Sequence, residues 1–212
     1  MTQEKNLSEG RFIAFEGIDG SGKTTQAARL AARLKKMGLP CCRTKEPTDG
    51  PVGSLVHQIM TGRISADARV VASLYAADRL DHLLNGTDGI LSLIRAGTHV
   101  ITDRYYFSSY AYHSVDMDLD WVIQANAQAA RLLRPTATLF IDVDPDTALE
   151  RISQNRLHTE IYENRARLTR VRECYLRAFE REREHETVLT LDGRKSEDEL
   201  DADIWEAVRG FF

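Results

Sequence analysis

A glycine-rich segment of eight residues constrains the fold of this chain more than any other part of its sequence. It has the form Gly-x-x-x-x-Gly-Lys-Thr, runs from Gly17 to Thr24, and lies between the apolar stretch 12–15 and an amphipathic stretch that ends near Leu34. Glycines let the backbone curl so that successive N–H groups point at phosphate oxygens, and the helix that follows presents its positive end to the same anion. A strand before the motif and a helix after it are the context that a P-loop requires. The sequence therefore predicts a site for a nucleoside triphosphate, with ATP as the expected donor.

Short apolar segments alternate with longer helical ones along the chain, and this alternation predicts an α/β fold. Helices are expected at about residues 66–84, 165–186 and 196–209, in addition to the one after the glycine-rich segment. The five predicted strands are 12–15, 41–45, 99–102, 137–143 and 187–191. Such alternation is typical of βαβ units with helices on both faces of a parallel sheet. We expect a three-layer P-loop NTPase fold, with residues 11–212 as a single domain after a polar leader, residues 1–10.

Composition narrows the classes of protein to which the chain can belong. A length of 212 residues can bury a sizeable core without disulfides, and a net charge of −4 gives no general attraction to nucleic acid or anionic lipid. The three cysteines, two of them adjacent, form neither a disulfide framework nor a zinc-site spacing. The polar start lacks a signal peptide, and no run approaches the roughly 18 apolar residues of a membrane span. We therefore expect a cytoplasmic enzyme.

Three polar side chains are candidates for binding the donor phosphates and their metal ion. Lys23 is expected to bridge the β- and γ-phosphates, and the Thr24 hydroxyl to ligate Mg²⁺. Asp103 ends the third strand and is expected to hold Mg²⁺ through water, although aspartate also commonly begins a turn. The predicted nucleotide contacts are Gly17, Ile18, Asp19, Gly20, Ser21, Gly22, Lys23, Thr24 and Thr25.

Two further features indicate a second anion site beside the first. Arg104 follows Asp103 at a predicted strand end, where its planar guanidinium suits a phosphate, or else pairs with a neighbouring acid. Tyr75 and Arg79 share one face of a predicted helix, so the ring could stack on a base and the cation could bond its edge. The alternative is a core tyrosine with Arg79 paired to Asp78 or a glutamate. A guanine-nucleotide switch is excluded, because the chain has no Asn-Lys-x-Asp segment.

The order of several short segments resembles the thymidylate kinases. The resemblance extends from about residue 11 to residue 191, and the segments that carry it are Phe15–Gln26, Thr44–Pro47, Tyr75–Arg79, Asp103–Tyr105, Ser108–Tyr112 and Phe140–Val143. It implies transfer of the γ-phosphoryl group of ATP to dTMP with Mg²⁺ as cofactor, a homodimer, and a mobile lid at about residues 151–167.

The resemblance also implies roles for individual residues of the acceptor site. Tyr75 would stack on thymine, Arg79 would bond its O4 edge, and Arg104 would hold the acceptor phosphate. Ser109 would lie against the base and Tyr112 near the sugar. The segment that includes Glu46 and Pro47 would line the phosphate pocket. Asp19 would lie near Mg²⁺ and the acceptor, and Arg151 beside the adenine.

The catalytic machinery is expected to be electrostatic. A nucleoside monophosphate has a second pKa of about 6, so it arrives ionised and needs no general base. Some thymidylate kinases keep a catalytic arginine in this loop, and this chain has none between Ile18 and Ser21, so the resemblance implies that a lid arginine, Arg156 or Arg151, stabilises the transferring phosphoryl group. The alternative is that these arginines pair with glutamates on a solvated helix. The expected catalytic residues are Lys23, Asp19, Arg104, Arg151 and Arg156.

Some positions depart from the thymidylate kinase pattern and leave rival functions open. Lys45, His113 and Ile161 stand where arginine, glutamine and arginine are common, and the lid segment 155–159 is also unusual. One rival is a deoxynucleoside kinase in which Glu46 would be the base for a sugar hydroxyl, although the loop lacks that family's Asn-Ile. The other rival is a nucleotide-binding paralogue with weak turnover or none.

Overall fold

The centre of the molecule is a parallel sheet of five strands. A computed structural model of the chain describes residues 9–155 and 165–212. Its strands are β1 Phe12–Glu16, β2 Cys41–Lys45, β3 His99–Asp103, β4 Ala137–Asp142 and β5 Val188–Asp192, in the spatial order β2-β3-β1-β4-β5. All four neighbouring pairs are parallel. The predicted α/β fold is confirmed, and each predicted strand end lies within one residue of the observed one.

Helices connect the strands. Within the described residues they are α1 Lys23–Lys36, α2 Pro51–Met60, α3 Ala68–Leu84, α4 Ile90–Arg95, α5 Tyr106–His113, α6 Leu119–Leu132, α7 Pro145–Asn155, α8 Arg165–Glu182 and α9 Glu197–Val208. Helix α3 begins later than predicted because Asp67 caps it, its side chain accepting a hydrogen bond from the amide of Arg69. Helix α8 ends earlier than predicted, at Glu182, where the chain turns toward β5. No described helix is long and apolar enough to cross a membrane.

Alternate residues of β1 face two separate cores, and this produces three layers. Phe12 and Ala14 pack in a core with side chains of α5, α6 and α8, whereas Ile13 and Phe15 pack in a second core with side chains of α1 and α9. A strand turns successive side chains to opposite faces, so a strand covered by helices on both sides must be apolar throughout. Every residue of β1 is buried accordingly.

The sheet brings two loops to one edge. Phe15 of β1 is in register with Asp103 of β3, so the segment after β1 and the segment after β3 leave the sheet side by side. In open α/β sheets ligands bind in the crevice outside the carboxyl ends of the strands. The predicted donor loop and Arg104 therefore meet at the edge where a ligand site is expected.

Candidate active site

The loop between β1 and α1 has a backbone that only glycine adopts readily. Gly17 has a φ of 146° and Gly20 a φ of 80°, both in a region that disfavours other residues. A Cβ on Gly20 would lie 2.4 Å from the carbonyl oxygen of Ala148, and one on Gly17 would lie 2.6 Å from that of Ile141. The loop is therefore packed tightly against β4 and α7, and the sequence motif has the conformation that it predicted.

Lys23 is buried at the start of α1 and turns its charge back into the loop. Lys23 is 5% exposed, and its Nζ donates to the carbonyl oxygen of Ile18 at 2.8 Å. Burial, with the nearby positive charge of Arg104, lowers the pKa of Lys23 to about 8. A phosphate anion at this position would favour the protonated amine. The loop thus holds a cation that an anionic ligand can stabilise.

Oxygen atoms suited to a hard cation lie between the loop and β3. Thr24 Oγ1 donates to Asp103 Oδ2, and Asp103 Oδ1 is buried with no hydrogen-bond partner among the described residues. Mg²⁺ prefers oxygen ligands and is usually held by one or two protein groups together with water and phosphate. The hydroxyl and the unsatisfied carboxylate oxygen fit that preference.

Arg104 lies at the tip of β3 and reaches across to the loop. Its guanidinium contacts the carboxylate of Asp19, donates to Ser108 Oγ at 3.0 Å, and lies 4.9 Å from the ring centre of Tyr112. The backbone of Arg104 has a φ of 74°, a left-handed conformation that costs a residue with a Cβ about 1 kcal/mol. Pairing with a neighbouring acid was the alternative to anion binding. Here the acid belongs to the phosphate loop, so the contact joins the two predicted anion sites.

Tyr112 fixes the position of Asp19. The Tyr112 hydroxyl donates to Asp19 Oδ2 at 2.9 Å and accepts from the Asp19 amide at 3.1 Å. Burial raises the pKa of Tyr112 well above its ordinary value, so the hydroxyl keeps its proton at neutral pH. Tyr112 therefore connects α5 to the donor loop, in addition to its implied place near the sugar.

Arg79 is more deeply engaged with the protein than the resemblance implied. The residue is 1% exposed. All three nitrogens of its guanidinium contact protein oxygen atoms, belonging to Glu46, Ser109, Asn126 and the carbonyl group of Tyr105. The partner foreseen from the spacing was Asp78 or a glutamate, and Glu46 is the acid that pairs. Arg79 consequently fixes the walls of the acceptor pocket as well as lining it.

Asp78 has a separate role in shaping the loop after β2. Its two carboxylate oxygens accept from the amide of Thr48 at 2.8 Å and from the Thr48 hydroxyl at 2.6 Å. Adjacent acidic and basic residues on α3, Asp78 and Arg79, thus bind two ends of the same loop, at Thr48 and Glu46. The loop that carries Pro47 is held against α3 as a result.

Glu46 is committed to structural contacts. Its side chain is 2% exposed, one oxygen contacts Arg79 Nη2 at 2.7 Å, and the other lies 3.1 Å from His82 Nδ1. A general base for a sugar hydroxyl needs an oxygen within hydrogen-bond reach of the substrate. With both oxygens engaged by protein cations or donors, Glu46 does not favour the deoxynucleoside kinase alternative.

Tyr75 and His113 form an aromatic pair on the wall of the same cavity. Their ring centres are 5.2 Å apart with the planes at 61°, an edge-on arrangement. Burial lowers the pKa of His113 to about 4, with the charge of Arg79 acting in the same direction, so the imidazole is neutral at pH 7. Neutral polar and aromatic edges are what a nucleobase can contact. His113, one of the positions that depart from the family pattern, therefore lies in the predicted base pocket.

The predicted lid arginines fall partly within the structure. Arg151 lines the cavity, whose lining also includes Gly193 and Lys195. Arg156 and Ile161 lie outside the described residues, as do Glu160 and Glu163. Two other arginines of the predicted lid pair with aspartates: Arg165 Nε lies 2.5 Å from Asp146 Oδ1, and Arg167 Nη1 lies 3.1 Å from Asp116 Oδ2.

A single cavity of about 830 Å³ joins these groups. That volume lies within the range of about 300–1,000 Å³ that is usual for ligand pockets. Among the predicted site residues, those that line it are Asp19, Gly20, Ser21, Gly22, Lys23, Thr24, Thr25, Glu46, Pro47, Tyr75, Arg79, Asp103, Arg104, Ser109, Tyr112 and Arg151. Gly17 lies behind this surface with Ile18, which is buried. The donor and acceptor regions are therefore parts of one continuous pocket.

Several residues at or behind the site had no role assigned from the sequence, among them Glu16, Ser108 and Asn126. Glu16 and Ser108 stood inside the segments that carry the resemblance, and each has a buried side chain in contact with the neighbourhood of Arg104. Asn126 accepts from Arg79 from a position on α6 that no sequence segment marked. Only the fold brings Asn126 to Arg79, so no local signal could have found it.

Comparisons with known proteins agree with this geometry. The family model described as Thymidylate kinase matches residues 15–204. The chain is similar to the thymidylate kinase of Leptospira borgpetersenii serovar Hardjo-bovis (strain L550), at 32% identity over 89% of this chain and 88% of that protein. It is also similar to the thymidylate kinase of Geobacillus sp. (strain WCH70), at 34% identity over 91% of this chain and 92% of that protein. A third relative, the thymidylate kinase of Xylella fastidiosa (strain M23), is 39% identical over 79% and 74% of the two chains.

Proposed function

This chain belongs to the thymidylate kinase family, and we propose that it transfers the γ-phosphoryl group of ATP to dTMP, giving ADP and dTDP. The observation that carries the proposal is the contact between Arg104 and Asp19. It joins the tip of β3 to the phosphate loop inside one cavity. Two phosphate-bearing ligands placed in this cavity would therefore meet end to end.

The donor half of the reaction is assigned to the loop Gly17–Thr24. Backbone N–H groups and the start of α1 would bind the triphosphate, and Lys23 would follow the charge of the transferred group. Thr24 and, through water, Asp103 would hold Mg²⁺, which when bound neutralises charge on the β- and γ-phosphates. Arg151 would flank the adenine beside the segment after β5.

The acceptor half is assigned to groups around Arg104. Arg104 would bind the phosphate of dTMP, Tyr75 would stack on thymine, and Ser109 would lie against the base. Arg79 reaches the base edge only by sharing N–H groups that already bond to protein oxygens, so we assign it chiefly to holding the pocket in shape. Tyr112 packs under Arg104, where it can restrict the room beside the sugar.

Catalysis in this arrangement rests on alignment and charge. The acceptor phosphate is already ionised near neutral pH, so no proton has to be removed before attack. The cations Lys23 and Arg104 lower the repulsion between the two anions, and a lid arginine, Arg151 or Arg156, would stabilise the moving group. Asp19 keeps Arg104 in place beside the loop.

Other features of the protein are proposed on the same family basis. We assign residues 11–212 to one kinase domain, with a lid at about residues 151–167 that closes over ATP. We also propose a homodimer and a cytoplasmic location. Sedimentation at micromolar protein concentration tests the dimer directly, and a monomeric mass would contradict it.

A coupled assay of ADP release tests the reaction and separates it from its rivals. With ATP and Mg²⁺ present, we expect turnover with dTMP and little with AMP or thymidine. Turnover with thymidine but not with dTMP would indicate a deoxynucleoside kinase, and ATP binding without turnover would indicate a regulator.

Two arginine variants, one in the cavity and one on the surface, provide a matched comparison in that assay. Arg104→Ala should raise the KM for dTMP at least about 100-fold, because it removes the cation assigned to the acceptor phosphate. Arg183→Ala removes an exposed arginine that pairs with Glu180 on the protein surface, and it should leave the KM unchanged. Equal behaviour of the two variants would contradict the proposed acceptor site.

A further inference from the structure

A buried carboxylate behind Arg104 takes no part in the mechanism described so far. Glu16 ends β1, is fully buried, and accepts four hydrogen bonds. Its Oε1 accepts from the amides of Tyr105 and Ser108 at 2.8 and 3.1 Å. Its Oε2 accepts from the hydroxyls of Ser108 and Tyr175 at 2.6 and 2.8 Å. We call Glu16, Ser108 and Tyr175 the Glu16 cluster.

The Glu16 cluster contacts the side chain of Arg104 through Ser108. Arg104 Nη1 donates to Ser108 Oγ at 3.0 Å, and the same oxygen lies 2.9 Å from the hydroxyl of Tyr175. The orientation of the Ser108 hydroxyl is thus fixed by Glu16 on one side and Arg104 on the other. One edge of the guanidinium is held from behind, while its other nitrogen faces Asp19 and the cavity.

The cluster also restrains the backbone of Arg104. That residue is in the left-handed region, with its amide donating to the carbonyl oxygen of Phe15 at 2.9 Å. The next amide, of Tyr105, donates to Glu16. A residue with a Cβ stays in such a conformation only where its surroundings impose it. Here β1 supplies both restraints, one from the carbonyl group of Phe15 and one from the side chain of Glu16.

Tyr175 extends the cluster to the donor loop and to helix α8. Its hydroxyl lies 3.3 Å from the carbonyl oxygen of Gly17, the first residue of the phosphate loop, and 2.8 Å from Glu16. The tyrosine is fully buried on α8, which follows the predicted lid in the chain. One hydroxyl therefore contacts the backbone of the donor site and the group that holds the acceptor site.

Packing alone does not account for an ionisable group at this position. Burial raises the pKa of Glu16, and the hydrogen bonds from Ser108 and Tyr175 and the charge of Arg104 act against that shift. A buried carboxylate is costly unless it is paired and hydrogen-bonded, and at this position four donors supply the bonds that it needs. The polar cluster lies where a strained cationic residue has to be held.

We propose that Glu16 and Tyr175 are positioning residues for phosphoryl transfer: acting through Ser108 and the Tyr105 amide, they hold Arg104 in the geometry that receives the acceptor phosphate. This inference rests on the proposed function. Neither residue lines the cavity. Their loss should weaken binding of dTMP because the groups that they hold belong to Arg104, whereas Tyr175 meets the donor loop only through one 3.3 Å contact with the carbonyl oxygen of Gly17, so binding of ATP should be nearly unchanged.

The chain contains a matched control for this idea. Tyr106, like Tyr175, is a buried tyrosine whose hydroxyl donates to a buried glutamate, here Glu186 at 2.6 Å. Glu186 lies just before β5, at the edge of the sheet where the strands begin and opposite the active site. Tyr175→Phe and Tyr106→Phe each delete one such hydroxyl, and only the first belongs to the Glu16 cluster.

The test compares the two variants in steady-state kinetics and thermal unfolding. Tyr175→Phe should raise the KM for dTMP about tenfold, with less than a twofold change in the KM for ATP. Tyr106→Phe should change neither KM, while lowering Tm by a similar amount. A KM for dTMP within twofold of wild type in Tyr175→Phe would overturn the inference, and so would an equal rise in both variants.

A double-mutant cycle provides a second readout that a purely structural role would not give. Ser108→Ala removes the side chain through which the cluster reaches the guanidinium of Arg104, so combining it with Tyr175→Phe should raise the KM for dTMP by less than the product of the two single effects. Multiplying effects would mean that Tyr175 does not act through Ser108 and would overturn the proposed route. Lack of dTMP turnover in the wild type would overturn the proposed function itself, before any variant is compared.

Discussion

The two ends of the cavity are built in different ways. The donor end consists of consecutive residues, Gly17–Thr24, whose backbone makes the site. The acceptor end is assembled from side chains of the loop after β2 and of α3, α5 and α6 that converge on Arg79 and Arg104. A donor side chain such as Lys23 can therefore change with little effect on the fold, whereas a member of the buried acceptor network cannot. The predictions below test that contrast.

The largest effect is expected at the donor end. Lys23→Ala should lower kcat at least about 1,000-fold, because it removes the charge that accompanies the transferred phosphoryl group. The protein should not become less stable at pH 7, since burial already disfavours the charged amine. ADP release and urea unfolding measure the two quantities. Lys36→Ala, at the end of α1, is the control, and a kcat within tenfold of wild type would contradict the role of Lys23.

A change at the acceptor end should damage both binding and stability. Arg79→Met leaves the buried carboxylate of Glu46 without its cation, which should lower the free energy of unfolding by about 3–5 kcal/mol. The KM for dTMP should rise while ATP binding is retained. Arg69→Met provides the control from the same helix, because Arg69 is exposed and its loss should cost less than about 0.5 kcal/mol. Equal unfolding midpoints in urea for the two variants would contradict the contrast between the ends.

The pH dependence of ATP binding should arise at the donor end of the cavity, from Lys23. The pKa of Lys23 is about 8 in the free protein, and bound phosphates raise it. Below pH 8 the amine is protonated with or without ATP, so affinity is flat. Above pH 8 it must take up a proton on binding, so affinity should fall by up to about tenfold per pH unit. Calorimetry in two buffers of different ionisation enthalpy measures this proton uptake, and Lys23→Arg should abolish it. A flat profile to pH 9.5 would contradict the pKa.

The smallest effect is expected at the base-binding wall. Tyr75→Ala should weaken dTMP binding by about 1–2 kcal/mol through lost stacking, and Tyr75→Phe, which keeps the ring, should be nearly neutral. Equilibrium titration with dTMP measures both. A severe loss with phenylalanine would show that the hydroxyl, and not the ring, makes the contact.

The conformation of the donor loop was predicted well from the sequence because its determinants are local. The glycine spacing, the preceding strand and the following helix lie within one stretch of the chain, and the predicted strand ends agree with the structure to within one residue. The sequence also predicted the position of Arg104, because a residue directly after a parallel strand must lie at the carboxyl edge of the sheet.

The sequence predicted the acceptor network poorly because its determinants are far apart in the chain. Spacing placed Tyr75 and Arg79 on one helix face, but it could not show that Glu46 and Asn126 would occupy the guanidinium of Arg79. Those contacts span 33 and 47 residues and depend on how α3 packs against the loop after β2 and against α6. The assignment of Arg79 to the thymine edge followed from resemblance alone. In the fold the same guanidinium also contacts Glu46 and Asn126.

The contact between Asp19 and Arg104 has a consequence for how an acceptor enters. Before any nucleotide arrives, the guanidinium already has an anion of the protein's own beside it, on a loop that belongs to the other substrate's site. An incoming phosphate would therefore replace a resident carboxylate as the partner of the guanidinium instead of meeting a bare cation. The carboxylate of Asp19 stays on the donor loop, so binding of the acceptor would change the electrostatic potential at the donor site.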